Sequence, residues 1–137
     1  MNRVRRWRAL PIDERRASIA AAWRLAAVHA LLAIAGVPWT RKLLVRRADG
    51  IDHALAERAA RAVQRAANHL PLRTNCLDHA LALSWLLASG GIASTLRIGV
   101  RKTSGDTLAA HAWVEHDGAV LLDEIASDYL PLAAANE

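Results

Sequence analysis

The spacing of apolar residues changes period once along this chain, at Gly90-Gly91, and that change limits the fold more than any other feature. Before it, apolar positions recur at helical intervals: Leu55, Ala59, Ala62 and Ala66 in one segment, Leu77, Leu81, Ser84 and Trp85 in the next. After it, Leu96, Ile98 and Val100 alternate with Arg97, Gly99 and Arg101, the period-two pattern of a strand with one buried face. Helices followed by strands predict an α+β domain, in which N-terminal helices precede a central helix packed on an antiparallel β-sheet. At 137 residues the chain is long enough for one real core, and no repeat, low-complexity tract or linker divides it. A single domain, 1–137, is expected, with a helical part (1–73) and a core (74–130).

Punctuation residues set the expected boundaries. Asp13 and Glu14 suit the start of a helix over 13–35, and Gly36-Val37-Pro38 stops it. Asp49-Gly50 marks a turn or cap before a second helix over 51–69, which Pro71 ends. Thr74 or Asn75 caps a third helix running from 75 or 76 to about 88. Strands are expected over 94–102, 107–116 and 119–124, then a tail anchored at 129–132. The first helix invites two other readings. Its apolar stretch, 25–37, is too short to span a bilayer. Its basic approach and Ala33-Ile34-Ala35 resemble a signal peptide, but Asp13, Glu14 and Arg24 interrupt that pattern. A buried core helix is the expectation.

Charge is unevenly spread. Residues 1–50 carry 11 Lys/Arg against 3 Asp/Glu, and the remainder 7 against 10. The basic third suggests an acidic partner surface or contact with a membrane surface. No nucleic-acid reader motif accompanies it, so no nucleic acid is expected. A single cysteine excludes an internal disulfide and a zinc finger, and a cytoplasmic location is expected.

That cysteine, Cys76, falls at the start of the most apolar helix. Unpaired N–H groups and the helix dipole favour a thiolate there, and the same amides can stabilise an oxyanion. His111 lies in Ala-His-Ala-Trp-Val-Glu on a strand, and an imidazole beside a thiol makes the pair a candidate nucleophile and base. Structural roles remain open for each: a small core cysteine and a buried, satisfied histidine. The third residue depends on the hairpin at Asp117-Gly118. A two-residue loop would pair His116 with Ala119, and so His111 with Glu124. A three-residue loop would pair Glu115 with Ala119, and so His111 with Asp123. The second keeps carboxylates off the alanine–valine face and is expected, with Asp123 orienting the imidazole and Glu124 in reserve. His79, one turn from Cys76, is expected to be a core or rim histidine. No cofactor is expected, and three scattered ligand types without a spacing motif make a poor metal site.

The blocks Asn-Cys-Leu-Asp-His-Ala-Leu-Ala-Leu (75–83), Ala-His-Ala-Trp-Val-Glu (110–115) and Asp-Gly-Ala-Val-Leu-Leu-Asp-Glu (117–124) resemble the transglutaminase-like leader peptidases of lasso-peptide biosynthesis, related to the processing protein of microcin J25. The resemblance covers about 74–129. It implies a papain/transglutaminase-like core and a cysteine protease that removes the leader from a ribosomally made precursor, so that an asparagine-synthetase-like cyclase can close the ring. Cys76 matches the nucleophile, His111 the base and Asp123 the third residue. In fused members a strand-rich leader-binding domain precedes the protease. Residues 1–73 read as helices instead, which implies the split form, served by a separate leader-binding protein. The same residues would equally support transglutaminase-type acyl transfer, where an amine replaces water, or an idle peptide-binding module.

Overall fold

A computed structural model describes residues 3–44, 47–102, 105, 107–121 and 130–131. The chain is α+β. Four helices, α1 (Arg3–Ala9), α2 (Ile12–Leu44), α3 (His53–His69) and α4 (Cys76–Ser89), precede β1 (Thr95–Lys102), β2 (Leu108–His116), β3 (Ala119–Leu121) and β4 (Leu130–Pro131). The strands form one antiparallel sheet in the order β3-β2-β1-β4. Helix α4 lies between the other long helices and the sheet, touching α2, α3, β1 and β2.

Helix α2 is a core element along one face. Ala21, Leu25 and Val28 are fully buried and join the main core with Val63 of α3 and Leu81 of α4. Gly36-Val37-Pro38 breaks the helix without ending it. Gly36 takes φ 78°, ψ 172°, a left-handed backbone that suits glycine, and helix resumes to Leu44. The Thr40 hydroxyl donates to Gly36 O at 2.8 Å, a side-chain bond to the carbonyl four residues back, across the first turn after the break.

The hairpin differs from the expected register. His116 pairs with Ala119, Glu115 with Val120 and Val114 with Leu121, so the loop has two residues. Asp117 (φ 48°) and Gly118 (φ 80°) both adopt left-handed backbone, as the tight hairpin turn whose twist matches its strands requires. Asp117 is held there by His53, whose Nε2 lies 2.9 Å from Asp117 Oδ2. This register also makes an apolar row across three strands, Leu96–Val114–Leu121, every member of it buried. The three-residue loop, which would have set Asp123 opposite His111, does not form. Strand β4 arises in the expected tail and pairs Leu130 with Val100 and Pro131 with Gly99.

A seam ties the helices to the sheet. Gly50 N donates to Gly91 O (2.9 Å) and Ala93 N donates to Gly50 O (2.7 Å). A Cβ on Gly50 would sit 2.3 Å from Gly91 O, so only glycine fits. Two residues on, Asp52 caps α3 with its side chain while its N–H donates to His116 Nε2 (3.2 Å). His116 Nδ1 in turn donates to Ala93 O (2.6 Å). One buried imidazole thus bridges the start of α3, the approach to β1 and the end of β2. His116→Leu should leave a donor and an acceptor unmatched and cost about 1–3 kcal/mol in urea unfolding, and an unchanged midpoint would remove His116 from the seam.

Candidate active site

Cys76 is the first residue of α4, reduced and half-buried. Its position is set by the cap. Asn75 is extended (φ −114°, ψ −179°), and its Oδ1 accepts from Asp78 N at 3.0 Å. Asp78 Oδ2 reaches back to accept from Asn75 N, also at 3.0 Å, which closes a reciprocal capping box around Cys76. His79 N–H donates to Asn75 O (3.1 Å). The N–H groups of Cys76 and Leu77 precede any intrahelical acceptor.

Asp78 is only 2% exposed and has a second partner. His29, from α2, donates from Nδ1 to the same Oδ2 at 3.2 Å. No motif marked His29, because a contact across 49 residues leaves no local signal. Its one sequence cue was a histidine within an apolar run.

His111 is on β2, opposite Gly99 of β1 and half-buried. Its ring lies nearly parallel to that of Trp113, centroids 6.1 Å apart at 23°. Cys76 and His111 border one cavity of about 80 Å³, together with His79, Ala80 and residues 112–114 of β2. Trp113 is 3% exposed, and its buried indole N–H finds no acceptor among the described residues. Asp123 and Glu124 lie outside the described residues, so the structure brings together two of the three expected groups and leaves the third unplaced. Among the described residues no three His, Cys, Asp or Glu side chains gather as a metal site.

A family model described as the transglutaminase-like superfamily matches residues 17–134, from within α2 through the sheet. The chain belongs to that superfamily. Its fold serves cysteine proteases and acyltransferases, both of which proceed through a thiol-bound acyl group. No curated protein and no solved structure matches the sequence.

His79 shares the cavity and is held by Thr74, with Oγ1 and Nε2 2.8 Å apart. Burial pushes its imidazole below the ordinary histidine range, and neighbouring Asp78 only partly opposes this. Below about pH 6.5 the unfolded chain takes up a proton that folded His79 resists, so stability falls with pH through that group. His79→Gln should therefore flatten the loss of melting temperature on acidification. Parallel wild-type and variant profiles would show that the ring is not kept neutral by the fold.

Proposed function

We propose that the protein is a cysteine peptidase that removes the leader from a lasso-peptide precursor, working with a separate leader-binding protein and an asparagine-synthetase-like cyclase. The observation that carries the reading is the shared cavity of Cys76, at the first position of a capped helix, and His111, on the facing strand, in a transglutaminase-like domain. The sequence blocks around those residues supply the leader-peptidase part.

The chemistry runs in two halves. Cys76 Sγ, its proton taken by His111, attacks the carbonyl carbon of the scissile bond, while the N–H groups of the first turn of α4 receive the oxyanion. The C–N bond breaks as His111 returns the proton to the leaving amine. Water then attacks the thioester with His111 as base, and the C–S bond breaks to release the leader acid and the thiol. The freed amine is the group that a cyclase would join to a side-chain carboxylate. Asp123 orients the imidazole in this scheme.

A reconstituted cleavage assay tests it, containing precursor, leader-binding protein and wild-type or variant peptidase. Cys76→Ala and His111→Ala should each abolish leader release, with losses on the order of 10⁶. Asp123→Asn should cost less, about 10⁴, and add nothing to Cys76→Ala. Since the hairpin has the two-residue loop, Glu124→Gln belongs in the same series, and a larger loss there than at Asp123 would transfer the orienting role. Full cleavage by Cys76→Ala would sink the peptidase.

A further inference from the structure

Helix α2 is apolar on two opposite faces, and only one of them is fully buried, although Trp23 on the other meets Trp85 edge-on, centroids 5.1 Å apart. At 100° per residue, Ala21, Leu25 and Val28 cluster on the side buried against α3 and α4. Ile12, Ile19, Trp23, Ala30 and Ile34 cluster on the other side. There Ile12 and Ile19 are each 57% exposed, Trp23 50% and Ile34 84%. A surface helix of a water-soluble domain ordinarily turns charged residues outward. This stripe instead runs roughly 33 Å without an acidic side chain, its charges being Arg16 and Arg24, whose guanidinium lies 4.3 Å from the Trp23 ring. Of the most apolar 18-residue window of α2, 17% is buried within the domain. Beyond the break at Gly36, Trp39 (61% exposed) and Leu43 (53%) are apolar side chains open to solvent as well.

Cations flank the stripe at both ends. Val4 and Trp7 of α1 line a cavity of about 350 Å³ with Ile19, which sets the Arg5, Arg6 and Arg8 helix beside its first half. Arg41 and Lys42 follow at the far end, with Lys42 Nζ 5.4 Å from the Trp39 ring. Isolated apolar side chains on a surface need no explanation, but an aligned stripe with basic ends does. We propose that this outer face of α2 is a docking surface for an anionic lipid bilayer, which the helix meets lying in the plane of the headgroups.

Two features favour a bilayer lying along the helix. Ala21, Leu25 and Val28 are held at zero exposure by the rest of the domain, so α2 cannot cross a membrane without dismantling the core. The stripe also offers no hydrogen-bond acceptor side chain, its polar groups being the Trp23 indole and the Arg16 and Arg24 guanidiniums, where a protein interface would carry a polar rim of both kinds. Apolar residues with Trp and flanking Arg/Lys are the composition of an interfacial helix, and each cation near an anionic surface adds about 1 kcal/mol. The inference is independent of the peptidase chemistry, because no residue of the stripe borders the Cys76 cavity.

The test is flotation of the full chain with phosphatidylcholine vesicles, with and without phosphatidylglycerol. Anionic vesicles should retain at least about tenfold more protein than neutral ones, the equivalent of a cation or two. Salt raised to about 1 M should reduce the difference. Ile19→Glu with Ile34→Glu should abolish flotation while leaving the thermal melt unchanged. Quenching of wild-type Trp fluorescence by bromine-labelled lipid needs no variant, and it should fall when Trp39 is replaced by Tyr. The proposal is overturned by equal retention on both vesicles or by a variant that floats like wild type. It is equally overturned by protein that only detergent releases, which is spanning, or by unbound dimers that the double variant splits, which makes a second copy the occupant.

Discussion

The structure depends on burying one helix from all sides. Ala80, Leu81, Ala82, Leu83 and Leu87 of α4 are almost fully enclosed, and they take up successive directions around the helix. Such a helix has no solvent face and must be walled by other elements. Helices α2 and α3 supply one wall and the sheet the other. Enclosing the three leucines, Leu81, Leu83 and Leu87, contributes roughly 1.5–3 kcal/mol each. The same enclosure has a chemical result. The body of α4 is walled on both sides, and its first turn, bearing Cys76, opens to the cavity shared with His111.

Two walls must also be held to each other, and here polar contacts do what apolar packing does not. Gly50 exchanges backbone hydrogen bonds with the 91–93 segment at a separation that leaves no room for a side chain. His116 lends one ring nitrogen to each side of the joint. Apolar contact fixes that layers pack, while directional bonds fix where. A shift of the sheet across α4 would move His111 relative to Cys76, so this distant seam bears on the geometry of the cavity.

Much of the architecture was legible because period and punctuation agreed. The change from helical to alternating spacing at Gly90-Gly91 gave the α+β class. Asn75 before an apolar run gave the start of α4, and Asp117-Gly118 gave a hairpin. The hairpin register was misjudged for a physical reason. Which face of the third strand is buried was inferred from keeping carboxylates off the apolar side, but the local geometry of two left-handed residues and the Leu96–Val114–Leu121 row outweighed it. Gly36-Val37-Pro38 was similarly read as an end, since sequence shows a helix breaking but not whether it resumes. The approach of Cys76 and His111 to a common cavity followed from the strand and helix assignments. The contact of His29 with Asp78 did not, because it depends on how α2 crosses α4.

That crossing has a mechanical consequence. Asp78 Oδ2 accepts from both Asn75 N and His29 Nδ1, so one oxygen atom is shared between the capping box of α4 and the inner side of α2. Helices are stiff along their axes, and α2 therefore acts as a rod with its inner side fastened next to Cys76. Any load that slides or rolls the rod is transmitted to the carboxylate, and from there to the backbone amide preceding the thiol. By reciprocity, whatever tightens that amide also resists movement of the rod. The outer surface of the molecule and the first turn of α4 are thus two ends of the same lever.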